Sequence, residues 1–167
     1  MCIRDSINNF SFKIDKNDKI GIVGTTGSGK TTLINLMLGL IKPNSGEIFI
    51  NKTKIDYEKE NYFFGNLGFL SQEAFIIDDT IKNNVFLDTK PTTKIVKNFD
   101  RLLKKFRLDN MILGRKLSLE SYVGSSGIKI SGGEKQRILL IRMLITNPNL
   151  IFIDEGTSAL DLSLIHI

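Results

Sequence analysis

The chain has 167 residues, of which 41% are hydrophobic and 25% charged, and its net charge is +5. This composition is ordinary for one globular domain and excludes a disordered or low-complexity chain. The single cysteine excludes an internal disulfide framework. The longest apolar run, Ile138–Ile145, is interrupted by Arg142 and is too short to span a membrane. We expect any membrane-embedded part to lie outside this chain.

The two ends of the chain are related to each other. The hexapeptides at residues 1–6 and 162–167 can be encoded by reverse-complementary DNA resembling the transposon ends used to fragment DNA for sequencing. We therefore expect both ends to be translated adapter and the natural sequence to run from about Ile7 to Asp161. The only cysteine and the only histidine lie in these ends, so we assign them no role.

The residues that follow the expected adapter, from Ile7 onward, predict a hairpin. Phe10, Phe12 and Ile14 alternate with polar residues, a polar turn follows at residues 15–19, and Ile20–Val23 is a short apolar strand. The stretch that follows reads GTTGSGKT and fits the phosphate-binding pattern G-x-x-x-x-G-K-[ST] between a strand and a helix. Its residues are Gly24, Thr25, Thr26, Gly27, Ser28, Gly29, Lys30 and Thr31.

The residue types of this loop match phosphate chemistry. Glycines allow backbone N–H groups to turn inward around an anion, and the next helix points its positive end at the same place. Lys30 would reach the β- and γ-phosphates, and the Thr31 hydroxyl would bind Mg²⁺. The alternative is a glycine-rich turn without a ligand, which the lysine and threonine make the weaker interpretation.

Further elements follow in order. We expect an apolar buried helix over residues 32–41, stopped by Gly39 and Pro43, then strands over residues 46–50 and 67–71. Residues 73–130 predict helix and loop without a clear strand. Within them, Pro91 and Thr92 open a helix whose apolar side chains recur at helical spacing up to Phe106. Its opposite face is basic, which we interpret as solvated rather than as a nucleic-acid surface.

The last part of the chain combines a helix start with an acidic strand end. Ser131 and Glu134 form a capping box pattern before an apolar helix over residues 134–145, and the exposed helix end could also bind an anion. Residues 150–153 predict a buried strand of the parallel type, followed by Asp154 and Glu155. Asp154 can hold Mg²⁺, and Glu155 can deprotonate an attacking water.

These elements predict an α/β fold. It is a P-loop NTPase core, with a mostly parallel sheet, an antiparallel β part and a helical insertion subdomain. We expect a single domain over residues 7–161, with residues 7–72 and 148–161 in the core and 73–147 in the helical subdomain.

At this point the sequence resembles a known family. Residues 130–137, ISGGEKQR, look like the signature motif of ATP-binding cassette (ABC) ATPases, Gln72 matches the Q-loop glutamine, and residues 158–161 match the D-loop. The resemblance implies a head-to-tail dimer that sandwiches ATP between the phosphate loop of one subunit and the signature of the other.

The resemblance also implies individual roles. Residues from Gly24 to Thr32 would bind the phosphates, Thr31, Gln72 and Asp154 would attend Mg²⁺, and Glu155 would be the catalytic base. Contacts across the dimer would come from Ser131, Gly132 and Gly133 to the partner's ATP, and from Asp161 at the seam. The adenine-stacking aromatic residue and the switch histidine would lie outside this stretch, so we expect the fragment alone to hydrolyse ATP poorly.

The resemblance favours one branch of the family. Residues 122–127 are similar to a loop of exporter-type transporters, although Tyr122 and Ser125 stand where glutamates are usual. The expected partner is a transmembrane domain, upstream in the same polypeptide, at the cytoplasmic face of the cell (inner) membrane, without nucleic acid. An importer ATPase, a DNA-repair or chromosome-organising ATPase, and a translation-associated protein are the alternatives. The transported substrate cannot be read from this stretch.

Overall fold

The computed structural model describes residues 7–57, 67–71, 75–87, 89–124 and 128–154. The chain divides into two compact units, Met1–Gly65 and Asn66–Ile167. The predicted division into a core and a helical subdomain over residues 73–147 stays a prediction. Within the described ranges no helix is long and apolar enough to cross a membrane.

In its described residues, 7–57, the first unit has one helix and one small hairpin. Helix α1 spans Lys30–Met37, and strands β1 (Phe49–Ile50) and β2 (Thr53–Lys54) pair antiparallel. The predicted helix over residues 32–41 therefore begins two residues earlier and ends four residues earlier. It ends there because Gly39 adopts a left-handed φ of +71° that a continuing helix cannot accommodate.

Fewer side chains in and after α1 are buried than the sequence predicts. Only Ile34 and Leu38 are fully buried, while Leu40 and Ile41 beyond the helix are exposed. The apolar residues past Gly39 leave the helical stripe, so they do not share its buried face.

The predicted strand over Ile20–Val23 is wrong for this structure. The turn before it is present, because the Asp18 N–H donates to the Asp15 carbonyl at 3.2 Å. Among the described residues of this unit, however, only β1 and β2 form a ladder. An alternating pattern creates an apolar face, but a strand also needs a neighbouring backbone to take its hydrogen bonds. Val23 is 96% exposed, which fits a segment without that neighbour.

The described part of the second unit contains four helices that pack together. They are α2 (Ile81–Phe86), α3 (Thr93–Lys105), α4 (Leu108–Gly114) and α5 (Gly132–Leu144). The predicted helices at 92–106 and 134–145 correspond to α3 and α5, and the Thr92 hydroxyl caps α3 as expected by accepting from the Ile95 N–H. Helices α2 and α4 were not predicted. Each has seven residues or fewer, too few for a helical period to stand out.

Two strand pairs accompany these helices. Strand β3 (Leu67–Leu70) runs parallel to β6 (Leu150–Ile153), which confirms the parallel character predicted for residues 150–153. Strands β4 (Asp79–Thr80) and β5 (Tyr122–Val123) pair antiparallel inside the stretch expected to lack strands. The core of this unit lies where α5 packs on α2, α3 and α4, and its fully buried side chains include Phe106, Leu108, Ile138 and Ile141.

Candidate functional site

The predicted phosphate loop is curled back on itself in front of α1. The Ser28 N–H donates to the Thr25 carbonyl at 3.2 Å, and the Lys30 Nζ donates to the carbonyls of Gly24 and Thr25, both at 2.9 Å. The lysine ammonium is therefore held inside the curve of the loop, against its first two residues. A positive charge in that place is what an anion enclosed by the loop would meet.

Two glycines allow this shape for different reasons. Gly29 has a φ of +90°, a left-handed conformation that costs other residues energy. Gly24 lies so close to Ser28 that a Cβ on it would stand 2.5 Å from the Ser28 Oγ. A side chain at position 24 would thus collide with the Ser28 side chain of the loop.

The start of α1 leaves backbone donors available. Its N-cap is Gly29, which has no side chain to accept from them, and the first turn contains no acidic residue. The first N–H groups of a helix have no partner within it and favour an anion. The Thr31 side chain, in the same turn, is exposed. The loop thus combines a lysine, a hydroxyl and free N–H groups in one short segment.

In the second unit, Asp154 lies at the carboxyl end of the parallel strands. It follows β6, and its N–H donates to the carbonyl of Leu70, the last residue of β3, at 2.9 Å. The residue is only 7% exposed. Within the described part of the chain, no group is hydrogen-bonded to its carboxylate. A carboxylate at the carboxyl end of two parallel strands is suited to bind a cation.

The start of α5 has the predicted capping box. The Ser131 Oγ accepts from the Glu134 N–H at 3.2 Å, and the Glu134 carboxylate accepts from the Ser131 N–H at 2.6 Å. Ser131 and Gly132 are both exposed, and a Cβ on Gly132 would meet nothing within 4 Å. The box and an anion contact are compatible, because the space before the helix end is open.

Arg115 contacts the start of α5, and this contact was not predicted from the sequence. Its Nη1 lies 2.9 Å from the Glu134 Oε2, and its Nη2 donates to the Lys129 carbonyl at 2.9 Å. Burial raises the pKa of the Glu134 carboxyl, but the Ser131 N–H and the Arg115 guanidinium outweigh it and leave that pKa below its ordinary value. The glutamate is therefore ionised and neutralised next to the predicted anion contact. A sequence signal for this partner is absent, since Arg115 follows a helix that was not predicted.

Three of the predicted site residues, Gln72, Glu155 and Asp161, lie outside the described residues. Leu70 and Ile153 are paired in the β3–β6 ladder, and Gln72 and Glu155 each follow two residues later. Their predicted roles stay predictions, as do those of the residues in the phosphate loop and the signature.

Comparisons with known proteins cover most of the chain. A family model described as ABC transporter matches residues 7–158. A Rickettsia prowazekii protein named as a candidate export ATP-binding/permease protein is 35% identical over 155 residues, which are 93% of this chain and 27% of that protein. An ATP-dependent lipid A-core flippase of Cupriavidus metallidurans is 32% identical over 159 residues, or 95% of this chain and 27% of the relative.

A solved structure supports the same assignment. The structure of a bacterial Atm1-family ABC exporter with ATP bound matches 84% of this chain with a TM-score of 0.72 and 29% sequence identity, and the chain covers 24% of it. This likeness confirms the predicted α/β class and P-loop NTPase fold. The chain spans about a quarter of the length of these relatives. It belongs to the ABC transporter family, as an ATP-binding domain homologous to those of exporters and flippases.

Proposed function

We propose that this chain binds and hydrolyses ATP to power the movement of a substrate out of, or across, a membrane, as one part of an exporter or flippase. ATP closes a dimer of two such domains, and hydrolysis reopens it. The relatives named for export and lipid flipping support this proposal, because their likeness extends over more than nine-tenths of the chain. The names of these relatives also favour transport over a role in DNA repair, chromosome organisation or translation.

The geometry of the phosphate loop carries the proposal. Lys30 is fixed by the carbonyls of Gly24 and Thr25, Gly24 lies where a side chain would collide with Ser28, and α1 presents uncapped N–H groups. A lysine ammonium held against the first two residues of the loop, together with the uncapped N–H groups of α1, stabilises charge on the β- and γ-phosphates of ATP. A glycine-rich turn without a ligand would not need the lysine in that place.

The residues that follow would divide the hydrolytic chemistry. Thr31 offers a hydroxyl, Gln72 an amide oxygen and Asp154 a carboxylate, and such hard oxygen donors suit Mg²⁺. Bound Mg²⁺ would neutralise charge on the phosphates. Glu155 would take a proton from the attacking water, and Ser131 with the first N–H groups of α5 would contact the γ-phosphate of the ATP held by a second copy.

The length of the relatives supports a proposal about the partners of this domain. These proteins are between three and four times as long as this chain, and one of them is named for both ATP binding and permease function. We infer a transmembrane domain upstream in the same polypeptide. The domain described here would then lie at the cytoplasmic face of the membrane, where ATP is available, and would meet a second ATP-binding domain head to tail.

The test uses the full-length parent protein in lipid nanodiscs. Lys30→Ala should abolish binding of a fluorescent ATP analogue, because the loop loses its only fixed cation. Glu155→Gln should keep binding and reduce hydrolysis by at least about a hundredfold, the size expected for loss of a general base. Lys16→Ala, which removes a charge from the exposed turn before the loop, is the matched control and should behave as wild type.

Two results would contradict the proposal. One is a folded wild-type protein that binds no ATP at millimolar concentration. The other is hydrolysis that survives both Lys30→Ala and Glu155→Gln, since the activity would then come from another site.

A further inference from the structure

An acidic side chain lies at the helix start that the proposed function assigns to the ATP of a second copy. Glu134 is in the first turn of α5, and its Oε2 accepts from the Ser131 N–H at 2.6 Å. Since Ser131 is proposed to contact the γ-phosphate, that phosphate would lie close to the Glu134 carboxylate. Two anions at such a separation repel each other. The charge of Glu134 therefore opposes the proposed ligand unless a cation neutralises it.

Arg115 supplies that cation. Its Nη1 lies 2.9 Å from the same oxygen, the Glu134 Oε2. The carboxylate side of the pair is largely shielded, because the Glu134 side chain is 17% exposed, so water screens its charge only in part. Two other cations, Lys116 and Lys135, are neighbours of these residues in sequence but form no ion pair in the ranges that the structure describes. Neutralisation of Glu134 thus depends on one side chain.

The position of Arg115 is set by α4. The Arg115 N–H donates to the Met111 carbonyl in the last turn of that helix at 3.1 Å. Met111 belongs to the buried core to which α5 also contributes. At its other end, the guanidinium donates through Nη2 to the Lys129 carbonyl at 2.9 Å. A guanidinium held by two bonds in one plane presents its charge to Glu134 in a fixed direction.

We propose that Arg115 is a positioning residue that makes the signature accept the ATP of a second copy, by neutralising the charge of Glu134. This inference rests on the proposed function of the chain. Arg115 acts through Glu134 and is not a catalytic residue. The dimer then needs Arg115 only while residue 134 is charged. A merely structural role, in which Arg115 holds the Lys129 carbonyl, would instead need it whichever side chain follows Gly133.

The test measures ATP-driven closure in the full-length parent protein in lipid nanodiscs. Every protein carries Glu155→Gln to prevent hydrolysis, and energy transfer between dyes on the two ATP-binding domains reports the ATP concentration for half-maximal closure. Adding Arg115→Ala should raise that concentration by on the order of tenfold, because the phosphates then meet an unpaired carboxylate. Adding Glu134→Gln to Arg115→Ala should restore it to within about twofold, since glutamine can still accept from the Ser131 N–H but carries no charge.

Two further variants complete the series. Arg115→Lys should stay within about threefold of the protein that carries Glu155→Gln alone, because an ammonium can neutralise Glu134 without the second bond to Lys129. Lys116→Ala is the matched control, since it removes one positive charge from the next residue. It should stay within about twofold, as expected for an exposed charge without an ion pair. Wild-type closure in Arg115→Ala overturns the inference, and so does an equal loss with and without Glu134→Gln.

Salt gives a readout that a lost structural contact would not move. Raising NaCl from about 50 mM to about 500 mM shortens the screening length severalfold, so the difference between Arg115→Ala and the unsubstituted residue should shrink to about threefold or less. A difference that is independent of salt overturns the inference. If the protein with Arg115 and Glu134 intact does not close at millimolar ATP, the proposed function itself is wrong.

Discussion

Removal of Arg115 tests whether the signature end of α5 depends on a charge partner from α4. Arg115→Ala deletes the ion pair to Glu134 and the hydrogen bond to the Lys129 carbonyl, both at 2.9 Å. Among the described residues, the Glu134 carboxylate would keep Ser131 as its hydrogen-bond partner. Its charge would then face the open space before the helix without neutralisation.

The expected cost follows from the exposure of the pair. The side chain of Arg115 is 37% exposed and that of Glu134 is 17% exposed. A hydrogen bond to a charged group is worth about 1.5–3 kcal/mol when shielded, and an exposed ion pair about 0.2–1 kcal/mol. We therefore expect about 1 kcal/mol, which corresponds to about a fivefold change in the equilibrium for opening the first turn.

Amide hydrogen exchange measures this directly. In Arg115→Ala the Ser131 and Glu134 amides should exchange about fivefold faster, while amides in the middle of α5 should not change. Lys116→Ala removes the same charge from the neighbouring residue, which has no ion pair among the described residues, and serves as the control. Equal exchange rates in Arg115→Ala and wild type would refute the reasoning.

The same pair predicts a pH dependence. The pKa of Glu134 is lowered from its ordinary 4.5 in the folded protein, so ionised Glu134 stabilises the fold. This contribution is complete above about pH 4.5 and is lost as the pH falls through the lower folded value. Glu134→Gln removes the charge, so its free energy of unfolding should converge with that of wild type in acid. A constant difference across that range would contradict the assigned cause.

Two glycine substitutions probe packing at and away from the site. Gly24→Ala places a Cβ 2.5 Å from the Ser28 Oγ and should weaken ATP binding by about tenfold or more. Gly21→Ala is the control and should leave ATP binding unchanged, because its Cβ would meet nothing within 4 Å. Equal ATP affinities in the two variants would contradict the loop geometry. Gly68→Ala in β3 places a Cβ 2.9 Å from the Met143 Cγ of α5. It should lower the free energy of unfolding by about 1–3 kcal/mol through overpacking, measured by denaturant titration, and an unchanged value would refute the tight β3–α5 contact.

Long periodic elements and chemical motifs were predictable from the sequence. Helices α3 and α5 are indicated by apolar residues at helical spacing. Their N-caps, Thr92 and Ser131, form as expected. Strand β6 is a continuous apolar run ending in acids, and its parallel partner β3 was also expected. In these cases local preference and tertiary packing agree, so the pattern is sufficient.

Elements that depend on distant partners were not predictable. The pattern of Ile20–Val23 is that of a strand, but the described part of its unit offers it no ladder. The strands β4 and β5 have two residues each and exist only because they pair across the helical region. Arg142 appeared in the sequence merely as an interruption of an apolar run. A lone arginine there was itself a signal, since a charge removed from water requires partners. The sequence could not show that Arg142 donates hydrogen bonds to Asn84 and to the Phe75 carbonyl.

The most direct test of the account asks whether one ATP is held by two copies. Two differently tagged full-length proteins, one with Lys30→Ala and the other with Ser131→Arg, are co-expressed with Glu155→Gln in both and purified through both tags. Each mixed pair then has one intact combination of phosphate loop and signature. The account predicts that mixed pairs retain ATP after removal of free nucleotide, whereas pairs of either variant alone retain none. Two results would contradict a site shared between phosphate loop and signature. One is that Ser131→Arg pairs retain as much ATP as pairs carrying Glu155→Gln alone. The other is that mixed pairs retain no ATP.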